Sequence, residues 1–384
     1  MLKRYLCQCG NPVFFRNSAC LACGTPLGYD TAQGLLLALA PSAQPGEWTT
    51  YFAPGSASNS RPAPAALFRR CANLLSPAAC NWLIGAEQPA ENIYCQACSL
   101  NRTIPDLTDT APADNGVHWG RVELAKRRML AGLLGLGLPI VSKVQDAANG
   151  LAFDVVSNQA GSTLVLTGHQ NGLITLNLQE ADDGIRESIR TAMHEPYRTL
   201  LGHFRHEIGH YFWDRLIKNT SWLDPFRQLF GNESQDYAAA LQSNYSVGPP
   251  ADWWLYYVSS YGSSHPWEDW AETWAHYLHM CDTLDTAASY GLTVNARLLE
   301  FTPFQLDALY DPQEPAATTF LTFLNEWTGL TVLLNEMSRS MGQPDFYPFA
   351  LPQTVIAKLH FVHLVIKSAA NINAATQVAP LPQT

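Results

Sequence analysis

The sequence is poor in charge. Only 15% of its 384 residues are Asp, Glu, Lys or Arg, against 47% hydrophobic residues. That balance excludes a disordered chain and leaves enough apolar surface for a large folded core. Positive charge is scarcest: 23 Lys and Arg face 33 Asp and Glu, a net charge of −10, so a basic footprint for nucleic acid is not expected. Long hydrophobic runs are missing as well. The longest, residues 129–141, is interrupted by Pro139 and is too short to cross a bilayer. Lys3 and Arg4 are followed by Cys7-Gln8-Cys9 rather than by the apolar core of a secretion signal. No membrane attachment is expected, and a cytoplasmic location follows. Cysteine is nearly absent beyond residue 98. Eight of the nine cysteines precede that point, and Cys281 alone reads as a small core residue. In a reducing compartment such clustered cysteines are metal ligands before they are disulfides.

What is present falls into three stretches: a cysteine-rich region over 1–100, a linker over 101–116 rich in Pro, Asp and Thr, and a long region over 117–384. Within the first, residues 35–39 and 48–52 read as strands, and 53–66, rich in Pro, Ala and Ser, as a flexible insertion. In the third, 117–135 reads as a helix, and 151–156 and 163–179 as strands. The latter stretch includes Leu164-Val165-Leu166 and Leu173–Leu178, joined near Gly168–Gly172. Asp182-Asp183 offer caps for a helix that Pro196 should end, with Pro196 opening the next, at about 196–218. Another helix should follow Pro266, and apolar periodicity at 318–337 and 353–369 predicts a helical C-terminal third.

The helix after Pro196 carries His206-Glu207-Ile208-Gly209-His210. The two imidazoles lie one turn apart on one face, so they can share a metal, and neutral imidazole suits zinc. Glu207 lies beside them and can take a proton from a metal-activated water. Composition alone predicts on the order of 0.01 such matches in a chain of this size. His203, a turn earlier on the same face, can pair with His206, but that choice leaves Glu207 without a role. His203 is read instead as a supporting or substrate-facing residue.

A catalytic zinc takes three protein ligands and keeps a fourth position open. No third histidine follows within the motif, since Tyr211-Phe212-Trp213 come next, and this excludes the three-histidine metzincin pattern. A glutamate on a later helix is the alternative. After Pro266, Trp267, Trp270, Ala271, Trp274 and Leu278 form an apolar stripe, flanked by Glu268, Glu272, His276 and His279. Ionisable groups beside a tryptophan wall are costly to bury without a metal or partners. Glu268 is assigned as third ligand, with Asp269, His265 and His276 competing. Glu272, one turn on, would fix the tautomer of a ligand histidine.

HEIGH followed by Glu268-x-x-x-Glu272 resembles the gluzincin branch of zincin peptidases, and Glu268-Asp-Trp-Ala-Glu272 resembles the Glu-x-x-Ala-Glu helix of anthrax lethal factor. The resemblance implies that Tyr261, seven residues before Glu268, stabilises the oxyanion of the tetrahedral intermediate, with Tyr257 competing for that role. The chain more closely resembles a bacterial family of zinc-binding metallopeptidases with an N-terminal zinc ribbon. The match runs through "CANLL…CNW…YCQACSLNRTIPDL", "TGHQNGLITLNLQEADD", "EPYRTLLGHFRHEIGHYFWDRL" and "YGSSHPWEDWAETWAHYLH", from Cys7 to about His279. It implies a hydrolase acting on a protein or peptide substrate, and an α+β fold. The catalytic part would be a mainly helical zincin-like domain with a small sheet, preceded by a zinc-ribbon-type domain. A zincin fold would also set the strand at 173–178 as an edge strand for an extended substrate.

In the cysteine-rich region, Cys7, Cys9, Cys20 and Cys23 have zinc-ribbon spacing, although Cys-x-Cys is tighter than the usual first knuckle. Cys95-x-x-Cys98 is the strong half of a second set. Its other half, Cys71 and Cys80, leans on the family resemblance. One catalytic and two structural zinc ions are expected, with free thiols or one site drawn from both sets as alternatives. Two other functional classes remain open at this point: a non-catalytic zinc-stabilised interaction module, and a DNA-associated zinc-ribbon protease. The net charge of +2 over residues 1–98, from six Lys/Arg and four Asp/Glu, speaks against the second.

Overall fold

The computed structural model describes residues 3–52, 66–108, 115–157, 167–192, 195–292 and 301–378. The insertion at 53–66, but for its last residue, residues 109–114 of the linker and Leu164-Val165-Leu166 lie outside the described residues. The fold is mixed helix and sheet, as the α+β expectation requires. The chain forms two compact units, one of residues 1–135 and 140–189 and one of residues 136–139 and 190–384.

The first unit opens with a two-residue hairpin, β1 (Tyr5–Leu6) and β2 (Pro12–Val13). A five-stranded antiparallel meander follows: β3 (Leu27–Asp30), β4 (Leu35–Pro41), β5 (Glu47–Thr50), β6 (Leu67–Arg70) and β7 (Leu83–Gly85). Leu37, Leu39, Phe68 and Leu83 fill one face of it. The Tyr29 amide donates to the Asn81 carbonyl, tying the first strand to the approach of the last.

The second sheet of this unit runs in the order β10-β11-β9-β8, built from β8 (Asn101–Thr103), β9 (Ala152–Val156), β10 (Gly168–Gln170) and β11 (Leu173–Asn177). Two expectations are corrected here. The segment read as linker begins with a paired strand, because β8 hydrogen-bonds in parallel to β9. The strand at 173–177 is interior, paired to β9 on one side and β10 on the other. Over residues 173–175 its ladder groups are engaged on both sides, so it is not a free edge there. Helix α1 (Asn115–Gly135) buries Trp119, Val122, Met129, Leu130 and Leu133. Glu123 and Lys126 are also fully buried, and they pair at 2.7 Å. Helix α2 (Asp183–Ala192) starts as expected: the Asp182 carboxylate accepts the Ile185 amide at 2.9 Å.

The second unit is helical: α3 (Leu200–Leu216), α4 (Leu223–Phe230), α5 (Tyr237–Val247), α6 (Pro266–Ser289), α7 (Ala317–Ser340) and α8 (Gln353–Val378). Helix α3 begins at residue 200, not at Pro196. Thr199 is extended, and its hydroxyl accepts the Gly202 amide, so the cap and not the proline sets the start. Its apolar face, with Phe204, Ile208 and Phe212, meets Trp270, Ala271, Trp274 and Leu278 of α6. Phe212 stacks on Trp274 with 5.0 Å between ring centres. Each such wholly buried side chain contributes on the order of 2–3 kcal/mol, so this seam is the spine of the unit.

Gly209 lies at the closest approach. A Cβ there would stand 3.1 Å from the Ala271 Cα and 3.2 Å from Trp274. Helix α8 includes a 23-residue segment apolar and long enough to span a membrane by composition. Val355, Ile356, Leu359 and Val362 are nonetheless buried in the protein core, as is the charged Lys358.

Candidate active site

The site is built where α3 crosses α6. His206 Nε2, His210 Nε2 and Glu268 Oε2 converge: the two nitrogens are 3.2 Å apart, and the carboxylate oxygen is 2.9 Å from His206 and 3.5 Å from His210. Zinc with ligand bonds of about 2.0–2.1 Å sets tetrahedral ligand atoms roughly 3.3 Å apart. The donor set, two imidazole nitrogens and one carboxylate oxygen, and its spacing therefore fit zinc. Glu268 Oε2 is buried and accepts no well-directed hydrogen bond among the described residues. Among the described residues, these three form the metal-capable group outside the cysteines, and His203 is not in it.

The tautomer of His206 follows from its other nitrogen. Nδ1 is 2.7 Å from Oε1 of Glu272, which can only accept, so Nδ1 carries the proton and Nε2 presents its lone pair. Burial would raise the Glu272 carboxyl, but the His206 hydrogen bond and charge overcome it and hold it at about 2. Ser259 donates to the second Glu272 oxygen at 2.6 Å and accepts the Gly262 amide at 3.1 Å. The turn bearing Tyr261 is thus tied to the carboxylate that orients His206. The ring of His210 lies against Trp267, 3.9 Å between centres.

Glu207 is buried, and burial pushes its carboxyl above the ordinary range. It makes no hydrogen bond among the described residues. The Tyr261 ring is centred 6.0 Å from that of His206, and its hydroxyl is likewise unengaged among the described residues. Tyr257 is occupied elsewhere: Lys358 Nζ sits 4.5 Å above its ring. The competing ligands have partners of their own. Asp269 pairs with Lys358 at 2.7 Å. His265 caps α6, its Nδ1 accepting the Trp267 amide. His276 Nδ1 meets the Tyr347 hydroxyl at 2.6 Å. Sequence spacing pointed to neither Ser259 nor Tyr237, whose hydroxyl lies 2.5 Å from Glu268 Oε1. Each comes from a turn or helix start with no periodic relation to the motif.

In the first unit, each cysteine set gathers its four sulfurs within 4.8 Å of one another. Cys7–Cys23, Cys9–Cys20 and Cys80–Cys95 are 3.6, 3.7 and 3.6 Å apart. That is far beyond a disulfide bond and close to the roughly 3.8 Å edge of a tetrahedral zinc–thiolate centre. Two knuckle turns shape the first set. Gly10 donates to Cys7 and Gly24 to Cys20, and both glycines have positive φ, 83° and 74°. The hydrogen bond from Thr25 holds Cys23 down at about 6, where thiolate forms readily. Around the second, fully buried set, the Arg127 guanidinium donates to the Ala78 carbonyl at 2.8 Å and brings positive charge near Cys80. The cysteine sets are therefore two separate clusters, not one.

Comparison with known proteins agrees with this geometry. A family model described as "Putative zinc-binding metallo-peptidase" matches residues 115–365, and a zinc-ribbon domain model matches residues 4–109. A protein of Mycobacterium bovis and another of Mycobacterium tuberculosis, both described as uncharacterized, are each 42% identical over 364 residues, covering 94% of both chains. No solved structure matches the chain. With the metal-capable His/Glu triad on α3 and α6 and a cysteine-rich ribbon before it, the chain belongs to this zinc-binding metallo-peptidase family.

Proposed function

We propose that this protein is a gluzincin-type zinc peptidase in which His206, His210 and Glu268 hold the catalytic zinc. The observation that carries the reading is the convergence of His206 Nε2, His210 Nε2 and Glu268 Oε2, with the far nitrogen of His206 fixed by Glu272. Zinc held there supplies Lewis acidity and makes a bound water acidic enough to react near neutral pH. Glu207 is the general base: its buried carboxylate takes the proton of the attacking water and returns it to the leaving amine. The Tyr261 hydroxyl, not engaged by the protein among the described residues, donates a hydrogen bond to the oxygen of the scissile carbonyl as negative charge develops. Trp267, whose ring lies tilted beside that of His210, gives the substrate side an apolar wall.

The substrate is a protein or peptide. The two cysteine sets are proposed to hold one structural zinc each, and the reduced thiols fit a reducing, cytoplasmic setting. The decisive experiment is Glu207→Gln. It keeps the metal content of the full chain while peptide hydrolysis falls by about 10²–10⁴. Undiminished hydrolysis in that variant sinks the mechanism.

A further inference from the structure

Residues 231–236 carry the chain from α4 to α5. Gly231 turns it at φ 102°, Arg227 clasps Glu233 at 2.9 and 2.5 Å, and Asp236 caps α5 by accepting the Ala239 amide at 3.0 Å. None of the residues of α5 is buried. What fastens this segment is His265. Its Nδ1 accepts the Trp267 amide at 3.1 Å, so the ring proton is on Nε2, which donates to the Gln235 carbonyl at 3.3 Å. The same histidine therefore starts α6 and pins the chain two residues before Tyr237.

From there the Tyr237 ring fits between His265 and Trp267, with centres 5.2 and 5.6 Å away. Its hydroxyl donates to Glu268 Oε1 at 2.5 Å, while Oε2 of the same carboxylate faces His206 and His210. A glutamate carboxylate turns freely about its last torsion and can offer either oxygen or both. A short hydrogen bond from a neutral hydroxyl to an ionised oxygen removes that freedom.

We propose that Tyr237 is a positioning residue of the metal centre: it occupies Glu268 Oε1, so that Oε2 alone is presented between the two imidazoles. This rests on the reading of His206, His210 and Glu268 as ligands. The two tyrosines then divide the work. Tyr237 serves the ligand, and Tyr261 is left for the substrate.

Cobalt(II) in place of zinc tests this on the full chain, because thiolate sites show sulfur-to-cobalt charge-transfer bands that a nitrogen and oxygen site lacks. His206→Ala should abolish a weaker set of visible bands and leave the thiolate bands intact. An unchanged spectrum there refutes the ligand reading itself, and the proposal with it. In Tyr237→Phe the weaker bands should persist but shift, and cobalt should be lost from that site to 10–100-fold less competing chelator. Tyr261→Phe should match the wild type in both respects. A wild-type spectrum and wild-type retention in Tyr237→Phe overturn the proposal while leaving the ligand reading standing. Should that variant not fold, Asp236→Ala loosens the first turn of α5 without touching the site. A smaller shift in the same direction is expected there, and unchanged retention overturns the proposal.

Discussion

The Nδ1 nitrogen of His206 and the Oε1 oxygen of Glu272 lie 2.7 Å apart, and Ser259 holds the other oxygen of that carboxylate at 2.6 Å. One orientation of the His206 ring is thereby selected before any metal arrives. Glu272→Gln keeps the shape but lets the amide group face the imidazole either way. Metal affinity at this site should fall 10–100-fold, and Ser259→Ala should produce a smaller loss of the same sign. Competition with a chelator measures both, and equal affinities in all three proteins would exclude the role given to Glu272.

The buried pair of Asp269 and Lys358 joins α6 to α8. Burial pushes the Asp269 carboxyl up to about 6, against the opposing charge of Lys358. Breaking such a pair strands a charge, so Lys358→Met alone should cost about 3–5 kcal/mol, whereas Asp269→Leu with Lys358→Met should recover most of it. Thermal or urea unfolding of the single and double variants checks this. A double variant as unstable as the single would mean that the pair contributes net stability.

Gly209→Ala places a methyl group between Ala271 and Trp274, where contacts of 3.1 and 3.2 Å await it. Helices α3 and α6 would have to part by a few tenths of an ångström. The expected loss is about 1–3 kcal/mol of stability, with weaker metal retention because the proposed ligands sit on both helices. A fully stable variant would show that the seam has slack.

Acid should destabilise the protein through His363. This ring meets the Tyr277 hydroxyl at 2.8 Å and lies near His360 and Phe320. Burial first, then the charge of Lys367 and His360, lowers it from 6.5 to about 4. The unfolded chain takes up a proton near 6.5, while the folded ring stays neutral until about 4. Stability contributed by the neutral ring is thus present above 6.5, is lost as pH falls from 6.5 to about 4, and does not change further below. His363→Gln should flatten the stability profile in that window. An unaltered slope would assign the acid sensitivity to other groups.

Much of the site was legible because helical spacing is a local property. His206 and His210 share a face whatever surrounds them, and the Pro266 helix announces its own start, its tryptophan stripe and Glu268 beside it. The cysteine knuckles were legible for the same reason. Other readings failed where local signals competed. Pro196 looked like a helix start, but Thr199 supplies the hydrogen bond that an N-terminus needs. Residues 101–103 carry linker composition, yet they pair with β9, a partner some fifty residues away in sequence that no local pattern reveals. The strand at 173–177 was recognised, but its neighbours were not, and neighbours decide whether a strand is an edge.

By itself the sequence determined the chemistry available: which residues can hold a metal, which can act as base, and which segments must be helical. Those follow from side-chain identity and from the 3.6-residue turn. Only the tertiary structure decided which of four candidate groups on the Pro266 helix faces the histidines. Asp269 and His276 are each drawn to a buried partner, Lys358 and Tyr347, and His265 to backbone groups at the helix start, while Glu268 is left pointing across the seam. It also decided that Ser259 and Tyr237 reach the site, because both arrive on irregular chain or at a helix start, where position is set by packing rather than by period.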